Sequence, residues 1–221
     1  MLGMPTADPA YAWTLYRDTQ QRIVDLMDDD AWDTRLPACP LWSVRDVVAH
    51  LAAVAEDWVS GTLTVPPTDA ETAAQIARFE GHDTADVLAA WDSAAGQLQR
   101  LAADGTAPPL GDIVVHEHDI RGALGVPGAR ADAAVWQVSD QLLDMLRTAV
   151  PVRVTVEDGE YRAGPQTGDE ITLRTTRFEA LRWRSGRRSH AQLAAMDWSA
   201  DPGPVLEHLY LFGPAQADLV E

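Results

Sequence analysis

The sequence contains no lysine and no asparagine, and its one cysteine is Cys39. A single cysteine excludes an internal disulfide and suits a reducing cytoplasm. The 17 basic residues are therefore all arginines, and they stand against 34 acidic residues, which gives a formal net charge of −17. Nucleic acid and anionic membrane surfaces repel a protein of this charge. We therefore expect a solvated acidic surface that binds neither of them.

Long apolar runs are also missing, and none of the runs present is long enough to span a bilayer. The first ten residues lack the basic and apolar regions of a signal peptide, so we expect a cytoplasmic protein. Hydrophobic residues nevertheless make up 46% of the 221 residues, which is enough to build a substantial core. This length suits one large domain or two small ones.

The first part of the chain has the apolar spacing of amphipathic helices. The second helix has the clearest beginning, because Ser43 is a good N-cap, Asp46 stands three residues later, and Trp42 is placed to pack on Val47. Gly61 ends this helix. Four amphipathic helices predict a helix bundle. The four helices are predicted at residues 11–27, 44–60, 84–103 and 110–124.

A long connection separates the second and third of these helices, at residues 62–83, with a short helix predicted at 70–78. Ordered connections of this length are often functional, and the sequence leaves open whether this one forms a lid. The pattern changes after about residue 131. We predict a helix at 133–149 and then short strands, with a tight hairpin turn at Asp158-Gly159. Further helices are predicted at residues 177–183, 189–195 and 204–212.

A group of acidic and histidine residues lies on the predicted bundle helices. His50 lies at the edge of the apolar face of the second helix, about 60° from its centre on a helical wheel. Asp112 and His116 are four residues apart on the fourth helix, so they project from one side, and Asp119 continues that stripe. Buried carboxylates and imidazoles are costly unless they are paired or bind metal. The spacing alone leaves open a metal site or ordinary hydrogen bonds.

Glu117 and His118 point away from the stripe of Asp112 and His116 on the same predicted helix. Residues on the opposite side of a bundle helix usually face solvent. We therefore expect Glu117 and His118 to be exposed or to pair with neighbours on the helix.

Several segments resemble the mycothiol-dependent maleylpyruvate isomerase family, a branch of the DinB-like four-helix bundles. Residues 39–51, with the sequence CPLWSVRDVVAHL, are similar to its first signature, and residues 112–125, DIVVHEHDIRGALG, to its second. Similarities continue at residues 185–189, 197–198 and 211–214. The resemblance implies a mainly α protein. The expected architecture is a metal-binding DinB-like four-helix bundle over residues 1–130, followed by a small α+β domain with a short antiparallel sheet over residues 131–221.

The resemblance also implies that His50, Asp112 and His116 bind a divalent metal. Three nitrogen and oxygen ligands leave an open position, as in catalytic zinc sites, so zinc is favoured, with nickel or cobalt as alternatives. The isomerase proper has Glu where this chain has Asp112, and the family often has Gly at Leu41. Because Asp is one methylene shorter than Glu, Asp119 is an alternative or supporting carboxylate.

The expected thiol cosubstrate is mycothiol, and the implied reaction is cis–trans isomerisation of maleylpyruvate by reversible thiolate addition. Arg187 and Arg188 are candidates for a clamp on substrate carboxylates, or else surface ion-pairing residues. Cys39 is interpreted as a small packing residue. The alternatives are a mycothiol S-transferase acting on other electrophiles, a metal-water hydrolase with Asp119 as general base, and a non-catalytic ligand-binding bundle. The sequence does not determine the substrate, the residues that bind mycothiol or the oligomeric state.

Overall fold

The computed structural model of the chain describes residues 8–64 and 66–221. The prediction that the N-terminus carries no signal peptide falls mainly on residues 1–7, which lie outside the described residues. The chain divides into two compact units, Met1–Pro127 and Gly128–Glu221, whereas the predicted division lay after residue 130. The described helices are α1 Pro9–Val24, α2 Val44–Ser60, α3 Asp69–Ala77, α4 Thr84–Ala103, α5 Leu110–Leu124, α6 Ala133–Asp144, α7 Arg177–Arg184 and α8 His190–Ala194. The described strands are β1 Arg35–Leu36, β2 Cys39–Ser43, β3 Val152–Val156, β4 Gly159–Ala163, β5 Ile171–Arg174 and β6 Asp197–Trp198.

The first unit contains the predicted four-helix bundle, formed by α1, α2, α4 and α5. Helix α2 packs against α4 and α5, and α1 packs against α4 and α5, while α3 lies on α2. Strands β1 and β2 form an antiparallel ribbon that leads directly into α2. The bundle core is apolar, which is the main source of its stability. Its fully buried side chains include Ile23, Val48, Leu51, Trp91, Leu98, Ile113 and Ile120.

The beginning of α2 is set by a capping box, which confirms the prediction from the sequence. The Ser43 side chain accepts a hydrogen bond from the Asp46 backbone N–H, and Asp46 Oδ2 accepts one from the Ser43 N–H at 2.7 Å. These bonds satisfy two backbone donors that the first helical turn leaves without partners. The helix ends at Gly61, whose φ of 71° is the left-handed conformation that glycine adopts without strain. The cap thus fixes the first residue of α2, and with it the position of His50 on the helix.

The second unit is built on a four-stranded sheet with the order β4-β3-β5-β6. Strands β3 and β4 form the predicted antiparallel hairpin, in which Val156 faces Gly159 across the tight turn. The sheet also contains a parallel pair, because β5 returns to the other edge of β3 and runs in the same direction. Strand β3 alternates between buried and half-buried residues. Helices α6 and α7 pack together in this unit.

The last predicted helix, at residues 204–212, is wrong. Only a 3-10 turn, Leu206–His208, forms there. Prolines at 202 and 204 precede it and Gly213-Pro214 follows it, so too few residues remain for a stable α-helix. Helix α6 also ends at Asp144 rather than at residue 149. Among residues 8–64 and 66–221, no helix is both long enough and apolar enough to cross a membrane.

Candidate metal centre

The predicted ligands come together at one point inside the first unit. Helix α2 supplies His50, and α5 supplies Asp112 and His116 from successive turns of the same face. His50 Nε2 lies 3.2 Å from Asp112 Oδ2, and His116 Nε2 lies 3.6 Å from Asp112 Oδ1. Each of the three residues offers one ligand atom, and these atoms all lie within 4.8 Å of one another. The helices therefore place two imidazoles and one carboxylate around a common point.

This donor set fits a divalent metal. Ligand atoms around a tetrahedral zinc ion lie about 3.4 Å from one another, which follows from zinc–nitrogen and zinc–oxygen bonds of about 2.1 Å. The two separations between the histidine nitrogens and the Asp112 oxygens, 3.2 and 3.6 Å, are close to that value. The imidazoles of His50 and His116 are almost completely buried, whereas 35% of the Asp112 side chain is exposed. Within the first unit, the site is thus enclosed by its histidines and reaches solvent beside Asp112.

Asp119 lies at the opposite edge of the His116 ring. Its Oδ2 is 3.0 Å from His116 Nδ1, and the same oxygen accepts a hydrogen bond from Cys39 Sγ at 3.9 Å. Because a carboxylate only accepts, it places the hydrogen of a neutral His116 on Nδ1 and the lone pair on Nε2. Carboxylates hold metal-binding histidines in this way in many proteins. The geometry therefore suits Asp119 to support His116.

Cys39, His116 and Asp119 form a second group whose possible ligand atoms lie within 4.8 Å of one another. His116 belongs to both groups but meets Asp119 at Nδ1 and Asp112 at Nε2. Asp119 could therefore bind a metal together with Cys39, on the Nδ1 side of the His116 ring. For a site that contains His50, the geometry favours Asp112 as the carboxylate.

Trp42 covers one side of both histidines, a contact that the sequence analysis missed. Its ring centroid lies 5.2 Å from that of His50 and 5.9 Å from that of His116. The two imidazoles meet edge to face, with their centroids 5.3 Å apart. The sequence pattern predicts for Trp42 only packing against Val47 at the start of α2. The signal in the sequence that could have predicted this contact was the position of Trp42, eight residues before His50 and near the end of β2.

The surroundings of His50 favour positive charge. Burial by itself lowers the pKa of His50, but the Asp112 carboxylate beside it and side-chain hydrogen bonds with Asp112 and Gln75 outweigh this effect and raise the pKa above its usual value. Nearby, burial and the charge of Asp112 raise the pKa of Tyr16, against the opposing hydrogen bond that Trp91 Nε1 donates to its hydroxyl at 3.0 Å. Tyr16 is therefore a neutral neighbour of the site.

A groove of about 780 Å³ opens beside Trp42. It lies between β2, the first turns of α2, and α3. Aromatic and aliphatic side chains form part of its wall, and Arg45 is the one cation among its charged lining residues. The remaining charged residues along it are Asp46, Asp69 and Glu80.

The expectation that Glu117 and His118 are exposed is wrong, because α1 covers that side of α5. Glu117 is completely buried and His118 is 3% exposed. Arg22 on α1 donates two hydrogen bonds of 2.8 Å to the two oxygens of Glu117. Arg121, one turn along α5, donates another at 3.0 Å, which is the local pairing that the sequence predicted for Glu117. The pair of Arg22 and Glu117 thus joins α1 to α5.

Arg187 and Arg188 follow α7 in the second unit. Arg188 is buried, and its guanidinium donates to both oxygens of Glu179 at 2.8 and 2.7 Å and to Glu221 Oε2 at 3.0 Å. Burial by itself lowers the pKa of Arg188, but the carboxylates of Glu179 and Glu221 outweigh this effect, so the pKa is raised above its usual value. Arg187 Nη1 donates to the Ser185 carbonyl at 2.6 Å. Their role as a substrate clamp stays a prediction.

Comparison with known proteins identifies the family. Residues 13–157 match the family described as mycothiol maleylpyruvate isomerase N-terminal domain. Two similar crystal structures are those of the mycothiol-dependent maleylpyruvate isomerase and of a histidine-to-alanine mutant of it. Each has a TM-score of 0.56 and covers 90% of this chain and 94% of its own, with 14% and 13% identity respectively, so this likeness concerns the fold alone. No curated protein matches the chain. Because the family match spans well over half of the residues, the chain belongs to the mycothiol maleylpyruvate isomerase family.

Proposed function

We propose that this protein is a metal-dependent enzyme that uses mycothiol to isomerise a cis double bond, as in the conversion of maleylpyruvate to its trans isomer. The observation that carries the proposal is the convergence of His50, Asp112 and His116 on one point beside a solvent-exposed edge. The family membership supports the choice of thiol.

The two imidazole Nε2 atoms and the Asp112 carboxylate would hold the metal. A divalent metal bound to three such ligands keeps a position open and lowers the pKa of a coordinated thiol, and zinc is the best candidate. Asp119 holds the ring of His116 from behind, and Trp42 excludes water from one side of both imidazoles. The exposed edge of Asp112 is the side of the first unit from which thiol and substrate would approach.

The reaction itself needs no net consumption of thiol. The thiolate sulfur adds to one carbon of the cis double bond, and the π electrons move to the conjugated carbonyl as an enolate. The former double bond is now single and rotates. When the enolate electrons re-form the double bond, the C–S bond breaks and the thiolate leaves unchanged. Such covalent catalysis replaces one difficult rotation by two easier steps.

A mycothiol S-transferase is the second candidate, and the charges around the groove favour it. Maleylpyruvate carries two carboxylates, yet Arg45 in the groove is outnumbered by acidic residues, and Arg188 is already bound by two carboxylates. A neutral electrophile would meet less repulsion there than a dianion. In this reaction the thiolate displaces a leaving group or opens an epoxide, and the C–S bond remains in the product.

A metal-water hydrolase is supported less well. It needs a general base within reach of the open position. Asp119, the candidate base, has its Oδ2 occupied by His116 Nδ1 and Cys39 Sγ at the far edge of the imidazole.

The first experiment is metal analysis of protein purified without chelator, followed by assay of maleylpyruvate with and without mycothiol. We expect one metal ion per chain and turnover only with mycothiol. His50→Ala and His116→Ala should lose the metal and the turnover. His208→Ala is the matched control, because His208 is exposed on the 3-10 turn of the second unit and should leave both unchanged.

The possible outcomes separate the candidate functions. Unchanged maleylpyruvate together with conjugation of mycothiol to a bimane electrophile would replace the isomerase by the S-transferase. Turnover of an ester or amide without mycothiol would indicate the hydrolase. A metal-free protein that cannot be loaded with zinc, nickel or cobalt would overturn all three enzymatic readings and leave the non-catalytic bundle.

A further inference from the structure

We propose that Cys39, Asp119 and the Nδ1 atom of His116 form a second metal position, which takes a thiophilic divalent cation such as Cd²⁺, or Zn²⁺ in excess. His116 meets Asp119 at Nδ1 and Asp112 at Nε2, so the two positions lie on different sides of one imidazole. Each ring nitrogen would then bind one metal. This inference goes beyond the proposed function, which uses only the Nε2 side of His116 and no thiol of the protein.

The ribbon of β1 and β2 brings the thiol to α5. Cys39 is the first residue of β2 and pairs with Leu36 of β1, and β1 packs against α5. On α5, His116 and Asp119 are three residues apart, which places them on one side of the helix. The ribbon and the helix thus bring together a thiol, an imidazole and a carboxylate from distant parts of the chain.

The donor atoms have a spacing that suits a bound metal, because all three lie within 4.8 Å of one another. Around a tetrahedral zinc ion, bonds of about 2.3 Å to sulfur and about 2.1 Å to nitrogen or oxygen place sulfur about 3.6 Å from oxygen, and nitrogen about 3.4 Å from oxygen. Cys39 Sγ lies 3.9 Å from Asp119 Oδ2, and His116 Nδ1 lies 3.0 Å from the same oxygen. Both separations are close to those of a metal site.

Burial distinguishes this group from an ordinary cluster on the surface. Asp119 is 1% exposed and His116 is 5% exposed, whereas Cys39 is half-buried. A buried carboxylate is costly unless hydrogen bonds or a cation compensate its charge. Without metal, hydrogen bonds to Asp119 hold the three residues together, so the donors are already in place when a cation arrives.

The donor set determines which metals fit and what must leave. A thiolate with an imidazole favours soft cations over Mg²⁺ and Ca²⁺, which prefer oxygen. When the metal binds, the Cys39 thiol loses its proton to solvent, and so does His116 Nδ1, because the metal takes the place of both hydrogens. Asp119 keeps its negative charge and becomes the third ligand.

The position that contains His50 should fill first. There the metal meets a free lone pair on His116 Nε2, whereas on the other side it must displace the hydrogen that Asp119 accepts. A second divalent cation across the same ring is also repelled by the first. The position at Cys39 should therefore fill only when more than one metal ion is present per chain.

The test is a titration of the full, reduced, metal-free chain with Cd²⁺. A thiolate bound to Cd²⁺ absorbs in the ultraviolet, and this band reports on Cys39 alone because the chain has no other cysteine. Equilibrium dialysis counts the bound ions. We expect two Cd²⁺ ions per chain in the wild type, with the thiolate band growing in with the second.

The variants separate the two positions. Cys39→Ala should lose the band and the second ion but keep the first, whereas His50→Ala should keep the band and bind one ion. Asp119→Asn should weaken the ion that gives the band by about 10-fold or more, since losing even a supporting hydrogen bond costs a metal site about that much. Asp92→Asn is the control for loss of a carboxylate, because Asp92 is exposed on α4, and it should bind two ions.

The outcomes decide between the proposals. No thiolate band in the wild type, or a band of unchanged affinity in Asp119→Asn and His116→Ala, would overturn this inference, because Cys39 would then bind no metal or would bind it alone. His116→Gln takes the place of the alanine variant if that variant does not fold. A band that grows in with the first ion, with no second ion bound, would instead overturn the metal site of the proposed function and keep the position at Cys39.

Discussion

Asp119 is a buried carboxylate whose Oδ2 lies 3.0 Å from Nδ1 of the proposed ligand His116. Replacing it by the neutral amide in Asp119→Asn keeps the shape but removes the negative charge behind the imidazole. We expect zinc affinity to fall about 10- to 100-fold, because the ring loses the partner that sets its tautomer and raises its basicity. Chelator competition measures the change.

Cys39→Ala is the control for Asp119→Asn, because Cys39 donates to the same carboxylate but is not one of the three proposed ligands. It should bind zinc as the wild type does. Equal affinities for wild type and Asp119→Asn would show that Asp119 has no part in holding His116. A loss in Cys39→Ala as large as in Asp119→Asn would favour the second group of ligands, which contains Cys39.

The raised pKa of Tyr161 predicts that the protein loses stability in alkaline solution. Burial and the hydrogen bond that its hydroxyl donates to Asp140 raise the pKa of Tyr161 to about 12, against the opposing effect of Arg177. An unfolded tyrosine titrates near pH 10. Because the folded pKa is the higher one, the stabilisation is fully present below about pH 10 and is lost as the pH rises towards 12.

Tyr161→Phe isolates this effect, since all other tyrosines remain in both proteins. The free energy of unfolding, measured with denaturant at several pH values, should fall less steeply between about pH 10 and 12 in the variant than in the wild type. The variant should be less stable at neutral pH, because Arg177 and Asp140 lose a partner. If the free energies of unfolding of the wild type and Tyr161→Phe changed in parallel with pH, Tyr161 would not be the source of the alkaline loss of stability.

At the scale of elements, Glu117 connects α1 to α5 from inside the bundle. Glu117→Gln removes the buried carboxylate that Arg22 and Arg121 share. We expect the free energy of unfolding to fall by about 3–5 kcal/mol, the usual cost of breaking a buried ion pair. Denaturant unfolding followed by circular dichroism measures it.

Asp92→Asn is the control, because Asp92 also pairs with an arginine of α1, Arg17, but both side chains are largely exposed. An exposed ion pair contributes at most about 1 kcal/mol, so this variant should be nearly as stable as the wild type. If Glu117→Gln and Asp92→Asn lost equal free energy of unfolding, the buried ion pair would contribute no more to stability than the exposed one.

The elements could be predicted well where their signals are local. The boundaries of α4 and α5 are those predicted, and the capping box of α2 is present as expected. Asp112 and His116 lie on one face because the α-helix places residues four apart side by side. Local signals failed at residues 204–212, where apolar spacing predicted a helix that the surrounding prolines prevent.

At the scale of the molecule, all three proposed ligands belong to the first compact unit. A fragment of residues 1–127 should therefore bind zinc with the affinity of the full chain, as measured by the same chelator competition. Much weaker binding by a folded fragment would show that the second unit contributes to the site. The fragment also tests Arg187 and Arg188, because a substrate clamp in the second unit predicts intact zinc binding but no turnover.

The sequence by itself determined the helices, the main capping signals and the residues that are candidates to bind metal. Each of these depends on residues within a turn or two of one another, or on a resemblance along the chain. The interactions around the candidate ligands depend on distant residues. Cys39 and Asp119 are 80 residues apart, and Arg22 and Glu117 are 95 apart.

Only the tertiary structure decided which groups surround those candidates. It placed Trp42 across both imidazoles and Asp119 behind His116. The physical reason is that helix periodicity specifies which face of a helix is buried but not which neighbour covers it. That choice is made when the helices pack, because buried polar groups such as Glu117 and Gln75 must then find their partners across the bundle.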